Sequence, residues 1–341
     1  MALKYTATQH ILPYNKPATT SRGSLSDRKL WIISVEDSEE PQKIGYGECG
    51  IIPGLSPEDY DGFDKVLANQ LSHLNEGLPI EKEVLFKHPA LSFAIETALL
   101  DLQNGGKKLF FDTPYAKGNA GIYINGLVWM DSIAEMEKEA IAKMEAGFDC
   151  LKFKIGAHDF DSECRLLEKI RKHPLGKHLE IRTDANGAFA PEDALFYLKE
   201  LNRFSLHSIE QPIKPGQWDW MEEICSKSPL PIALDEELIL RDPIQEGKQL
   251  LKKTRAHYII LKPSLLGGLK QSDVWIEIAE KNEVKWWATS ALESNIGLNA
   301  IAQWVAAKPL YLAQGLGTGQ LYQHNFEPET KIEKGKLYCN V

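Results

Sequence analysis

From about residue 122 onward, short apolar runs recur roughly every 25 to 30 residues, within the usual length of a βα unit, and several end on a charged side chain. They are LKFK (151–154), LEIRTD (179–184), LHSIE (206–210), PIALD (231–235) and YIILK (258–262). Each has strand character and is followed by a segment long enough for a helix. The full set of strand candidates is 122–128, 150–155, 179–184, 206–210, 231–235, 257–262, 284–289 and 310–314. Amphipathic segments such as SIAEMEKEAIAKMEA (132–146) fill the gaps. Alternating strands and helices build a parallel sheet, and eight strands of this kind imply a closed barrel. Such barrels carry their active sites at the C-terminal strand ends. Lys152, Lys154, Asp184, Glu210, Asp235 and Lys262 are therefore delivered, in that order, to one mouth.

The chain before the barrel differs. KYTATQHIL, KLWIISVE and KIGYGECG are β-rich, and PATTSRGSLSDRK (17–29) is a polar, glycine-containing loop of the kind that carries function. Helices are expected over 57–75 and 88–104. These elements describe an α+β domain over residues 1–115, and the link AKGNAG (116–121) separates it from a barrel over 120–320. The stretch 321–341 has no place in the barrel and is expected to return to the first domain.

Composition narrows the function. A hydrophobic fraction of 43%, a charged fraction of 26% and a net charge of −9 describe a globular protein that binds neither nucleic acid nor an anionic membrane. No run approaches the length of a membrane span, and the N-terminal residues lack the apolar core of a secretory signal. Five cysteines, an odd number without CxxC spacing, read as reduced thiols in a cytoplasm.

Strand parity assigns the charged residues to one face. In LKFKI, Lys152 and Lys154 point one way while Leu151, Phe153 and Ile155 point the other, toward the outer helices. The alternative, a solvated edge strand, fits this regular alternation poorly. Buried lysines need a chemical reason, and at a barrel mouth that reason is proton transfer. Neighbouring ammonium groups and burial both lower a lysine pKa toward general-base strength. Asp184, Glu210 and Asp235 share the inward parity. Any one of them reads equally well as a helix cap. All three in successive units form an all-oxygen set for a hard cation, Mg²⁺ first and Mn²⁺ second. No histidine or cysteine joins them, which disfavours zinc. Lys154 and Lys262 end strands on opposite sides of the barrel and should face a bound substrate from two directions.

KFK, RTDAN, EQP, DEE and LKPSLLGG, in this order, resemble the muconate-lactonizing subgroup of the enolase superfamily. The resemblance spans nearly the whole chain and implies a modified TIM barrel, (β/α)7β, with an α+β capping domain. It implies Mg²⁺ on Asp184, Glu210 and Asp235, and removal of a proton α to a carboxylate to give an enediolate. Finer motifs, TSRG (20–23), FAIETALLDL (93–102), INGLVW (124–129), TSALESNIGL (289–298) and AQGLGTG (313–319), resemble the o-succinylbenzoate-forming dehydratases of that subgroup, which act in menaquinone biosynthesis. Lys154 is then the base, Lys152 holds charge beside the substrate carboxylate, and Lys262 stabilises the enediolate by a cation–π contact. The same resemblance suggests substrate contacts from Ser21 and Arg22 in a capping loop, Asn186 after strand 3, Ser290 and Ser294 after strand 7, and Gly315 and Gly317 after strand 8. Ser294 reads equally as a helix N-cap, the two glycines as a tight turn, and Arg182 as the partner of a carboxylate.

The implied ligand is a small-molecule carboxylate, and a homo-oligomer is left open. The competing activity is racemisation of N-succinylamino acids or epimerisation of dipeptides by opposed lysines. GLGTG (315–319) lacks the acidic pair with which dipeptide epimerases hold a substrate amine. A metal-binding relative without activity would have lost at least one of the six charged groups, and all six are present.

Overall fold

The β-rich N-terminal region forms an antiparallel sheet of β1 (Leu3–Thr20), β2 (Gly23–Asp37) and β3 (Glu40–Gly50) in the computed structural model, which describes residues 3–20, 23–328 and 330–339. Residues 17–20 and 23–29 are not loop but the far arm of the β1–β2 pair. After a register shift between Pro13 and Ala18, Ala18, Thr19 and Thr20 pair with Leu25, Ser24 and Gly23. The Thr19 and Ser24 hydroxyls meet across the strands at 3.0 Å, so polarity that reads as loop is used in cross-strand bonding. Ser21 and Arg22 lie outside the described residues.

Helices α1 (Phe63–Asn75), α2 (Lys82–Lys87) and α3 (Pro89–Gln103) follow. The helix expected from residue 57 starts at Phe63, because Gly62 at φ 97° cannot continue helical geometry. The backbone of α3 rests directly on β3: a Cβ at Gly45 or Gly47 would lie about 2 Å from the carbonyl oxygen of Ala98 or Ala94. Leu91, Ala94, Ile95 and Ala98 join Trp31, Ile33 and Val35 in the core of this domain.

The second part begins with β4 (Ile122–Tyr123), β5 (Gly126–Val128), α4 (Ile133–Glu145) and β6 (Cys150–Lys154). It continues through α5 (Phe160–Lys172), β7 (Glu180–Asp184), α6 (Pro191–Leu201), β8 (Ser208–Glu210), α7 (Trp218–Lys227) and β9 (Ile232–Leu234). Then come α8 (Lys248–Thr254), β10 (Tyr258–Leu261), the single turn α9 (Pro263–Leu266), α10 (Leu269–Lys281), β11 (Lys285–Ala288) and α11 (Asn295–Ala306). Strands β5 to β11 form a seven-stranded parallel sheet in chain order. Its outward side chains, among them Leu151, Phe153, Ile181, Ile209 and Leu234, pack with residues of the surrounding helices in the main apolar core.

The expected eighth strand, 310–314, makes no ladder. Gln314 and Gly315 instead close the sheet with single parallel bridges, Gln314 to Ile124 and Gly315 to Thr289. The side chain of Gln314 replaces ladder bonds, accepting from Ala288 N at 2.8 Å and donating to Leu312 O at 2.7 Å. Counting this segment, the sheet is a (β/α)7β barrel. The expected strand 122–128 is likewise divided at Ile124–Asn125. β4 leaves the barrel to pair with β13 (Lys336–Cys339), which in turn pairs with β12 (Thr330–Glu333). Upstream of that hairpin, Leu321 to Gln323 lie along β1: Asn15 N donates to Leu321 O and Gln323 N to Pro13 O. No helix among the described residues is long and apolar enough to cross a membrane.

Glu48, on β3, ties the two parts together. Its buried carboxylate accepts from Ser294 N at 3.0 Å, Ser294 Oγ at 2.5 Å and Gly297 N at 3.0 Å, capping the N-terminus of α11. Glu48→Ala strands these donors away from water and should cost roughly 2–3 kcal/mol. Denaturant titration checks this; an unchanged midpoint contradicts it.

Candidate active site

The parity argument from sequence has a direct structural counterpart. Lys152 and Lys154 project inward from β6, Asp184 ends β7, Glu210 ends β8, and Asp235 and Lys262 directly follow β9 and β10. β6 and β10 are strands 2 and 6 of the barrel, on opposite sides of its mouth. Asp184, Glu210 and Asp235 are all buried, and each offers a carboxylate oxygen within 4.8 Å of the other two.

The lysines neutralise this cluster. Lys152 Nζ lies 2.8 Å from Glu210 Oε2 and 3.4 Å from Asp184 Oδ2. Lys154 Nζ lies 2.6 Å from Asp184 Oδ2 and donates to Asn186 Oδ1 at 2.8 Å. Lys262 pairs with Asp235. Burial would raise Asp184, but Lys154, Lys152 and Lys262 outweigh it and hold its carboxyl far below the usual range. Glu210 goes the other way: burial lifts it to about 7, helped by Asp184 and Asp235 and opposed by Lys152. Burial and Glu236 also raise Asp235, against the pull of Lys262. Burial would lower all three lysines. Carboxylates overcome that effect at Lys152 and Lys262, while Lys154, with Lys152 and Lys262 near it, is lowered. It is the one of the three whose surroundings weaken its hold on a proton.

A divalent cation fits this donor set. Three oxygen ligands converge, no softer ligand joins them among the described residues, and Glu210 Oε1 is buried without a hydrogen-bond partner.

Residues that sequence parity did not single out hold the ligands in place. Asn186, at φ 47°, bonds Asp184 Oδ1 through its backbone N–H and Glu236 Oε1 through its amide, each at 3.0 Å. Its side chain thus orients Lys154. Gln211, at φ 36°, accepts from Asp235 N at 3.1 Å and from Glu237 N at 3.4 Å. Glu237 accepts from Gly216 N and Trp218 Nε1. The signal for these was present in DEE and EQP, where polar residues adjoin the ligands. Arg182 is fully buried at the other end of the barrel. It pairs with Glu180, donates to Ala313 O at 2.9 Å and stacks 4.2 Å over Trp287. It closes the barrel floor and lies apart from the carboxylate triad.

A cavity of about 240 Å³ opens above the lysines, between barrel and cap. Lys152, Lys154, Lys262, Ser290, Gly315 and Gly317 line it, with Leu25 and Ile52 from the cap and Trp129 from the barrel. Ser294 does not: its hydroxyl bonds Glu48 and caps Ile296 N.

The fold and this site define the class. The chain belongs to the enolase superfamily: the model of the "Enolase C-terminal domain-like" family matches residues 135–340. Over 99% of its length it is 42% identical to 98% of an o-succinylbenzoate synthase of Desulfotalea psychrophila. The crystal structure of MenC from Desulfotalea psychrophila superposes with a TM-score of 0.86 at 38% identity, covering 99% of this chain and 100% of that one. An N-succinyl-L-Arg/Lys racemase of Bacillus cereus is 26% identical over 85% of this chain and 79% of its own length.

Calorimetry on the chelator-treated protein should detect one divalent-cation site per chain, and filling it should raise the Tm by ligand linkage. Glu210→Ala should weaken binding by more than the roughly 10- to 100-fold typical of outer-shell losses. Wild-type affinity in that variant would remove Glu210 from the ligand set.

Proposed function

We propose that this chain catalyses the syn dehydration of 2-succinyl-6-hydroxy-2,4-cyclohexadiene-1-carboxylate to o-succinylbenzoate, a carbon–oxygen lyase step of menaquinone biosynthesis. The observation that carries this reading is full-length identity of 42% to an o-succinylbenzoate synthase, with all six charged groups gathered at one barrel mouth. The cation would be Mg²⁺, held by Asp184, Glu210 and Asp235, and it supplies positive charge that stabilises the substrate carboxylate as electrons move onto it. Mn²⁺ is the second choice for the same donors.

The chain's own residues supply the rest. Lys154, as the neutral amine, takes the proton from the carbon bearing the carboxylate, leaving an enediolate. Asn186 and Asp184 hold the Lys154 nitrogen in position for that transfer. The electron pair re-forms a ring double bond as the hydroxide on the adjacent carbon departs. In a syn elimination the leaving hydroxide is on the same face, so Lys154 returns its proton there and water is released. Lys152 adds positive charge near the carboxylate. Lys262, across the barrel, faces the ring from the other side and stabilises the delocalised charge by cation–π attraction.

The opposed lysines also suit a racemase of N-succinylamino acids, and one assay separates the readings. Turnover of the cyclohexadiene should far exceed proton exchange of an N-succinylamino acid panel in D₂O. Faster exchange from both enantiomers would favour the racemase. In the dehydratase, Lys262→Arg should keep part of the activity, and Lys262→Ala should lose about 10²- to 10³-fold in kcat, as for other electrostatic groups. A wild-type kcat in Lys262→Ala would remove it from the mechanism.

A further inference from the structure

Helix α5 carries an acid on its apolar stripe. Its buried positions are Glu163, Leu166, Leu167 and Ile170, spaced i, i+3, i+4 and i+7, so a carboxyl group stands where this face calls for an aliphatic side chain. Glu163 is only 2% exposed, and a carboxyl group so placed is costly unless its oxygens are used. One oxygen is used twice. Oε1 accepts from Gly156 N at 2.7 Å and from His158 N at 3.3 Å, while Oε2 is buried without a hydrogen-bond partner. Burial raises the pKa of Glu163, and the N–H groups of Gly156, His158 and Ala157 oppose that rise.

Those N–H groups belong to the turn that leaves β6 just after Lys154. Gly156 in that turn takes φ 94°, and a Cβ there would lie 2.6 Å from the Cβ of Ala188. The turn therefore packs closely against segment 185–188, which carries Asn186. Ile155 N donates to Asp184 O at 3.0 Å and Ala188 N to Ala185 O at 3.1 Å, so the ends of β6 and β7 and their turns form one joined piece of backbone. That piece carries Lys154 and both groups that hold its nitrogen, Asp184 at 2.6 Å and Asn186 at 2.8 Å. Glu163 grips it from the helix layer. An aliphatic residue at this position would leave the N–H groups of the turn without that acceptor.

We infer that Glu163 is a positioning residue for the base: it fixes the turn after β6 and, through it, the place of Lys154 Nζ between Asp184 and Asn186. This rests on the role of Lys154 in the reaction proposed above. Glu163 is not among the residues that line the cavity, so it acts on the substrate only through Lys154. Proton transfer needs its two heavy atoms within hydrogen-bond reach, and a misplacement of about 1 Å can cost about 10²-fold in rate. Loosening the turn therefore slows proton removal more than it weakens substrate binding. Glu210 and Asp235 lie at the ends of β8 and β9, away from the turn, and keep their hold on a cation.

The test uses the Mg²⁺-loaded protein and the variants Glu163→Leu, Glu163→Asp and Glu163→Gln, each checked for folding and Mg²⁺ content. Leucine removes the acceptor, aspartate draws it back by one methylene, and glutamine keeps an oxygen where Oε1 stands. Single turnovers of the diene with excess protein give a saturating rate constant that an inactive fraction does not lower, and a half-saturating concentration that reports binding. Glu163→Leu and Glu163→Asp should lose about 10- to 100-fold in the rate constant, the range for residues that orient a site from behind its ligands. Their half-saturation should stay near the wild-type value. Glu163→Gln should recover most of the rate. Should Glu163→Leu fail to fold, Glu163→Asp carries the comparison. The crystal structure of Glu163→Asp should show the 156–158 turn displaced and Lys154 Nζ out of hydrogen-bond reach of Asn186 Oδ1. A wild-type rate constant in either folded variant, a loss carried by half-saturation instead, an equal loss in Glu163→Gln, or an unmoved Lys154–Asn186 contact overturns the inference. A wild-type protein that does not dehydrate the diene at all overturns the proposed reaction itself, and the Lys154–Asn186 contact in the variant structure then still decides whether Glu163 places the lysine.

Discussion

Mutual neutralisation of buried charge holds this structure's working end together. Asp184, Glu210 and Asp235 are each at most 2% exposed, and so many carboxylates in one dry space would repel one another strongly. Lys152, Lys154 and Lys262 reach them from strands 2 and 6 and balance the charge. The surrounding polar groups follow from that arrangement. Asn186 and Gln211 adopt left-handed backbone conformations at strand ends and use them to bond the ligands and their neighbours. Strain of this kind collects where function requires a fixed geometry.

The same charges explain the division of labour between the two parts of the chain. Among the described residues lining the cavity, the barrel supplies every charged group, while the cap supplies apolar cover through Leu25 and Ile52. Covering the mouth excludes water and strengthens each electrostatic contact beneath it. The cover must therefore be held firmly. Arg28, buried in β2, donates to Ala291 O in the cavity wall, and Glu48 caps the helix that follows.

How much was legible in the sequence depends on the range of the interactions involved. Strand parity is local, so the inward placement of Lys152, Lys154 and the three acids could be read from alternation within LKFKI and its counterparts. The motif order then indicated the superfamily. Features set by distant partners were not legible. Nothing near Ser290 reveals that Thr318, 28 residues on, donates to its hydroxyl, and nothing near Ser294 reveals Glu48, 246 residues away. The division of 122–128 depends on β13 arriving from the C-terminal end to pair with β4. The absent eighth ladder depends on the side chain of Gln314. Polar composition made 17–29 look like a loop, although its Thr–Ser pairing only works between two strands.

The central claim is that Lys154 is the base of this assembly, and single-turnover chemistry tests it most directly. The diene would be prepared with deuterium on the carbon bearing the carboxylate and mixed with excess wild-type or Lys154→Ala protein, each checked for folding and Mg²⁺ content. Removing one lysine from a crowded polar mouth should leave fold and metal in place. The wild type should release deuterium at a rate slowed by the isotope when proton removal limits the step. Lys154→Ala should be slower by at least the roughly 10² to 10⁴ typical of a positioned acid–base group. Near-wild-type single-turnover dehydration by a folded, metal-loaded Lys154→Ala would contradict the account and move the base to Lys262.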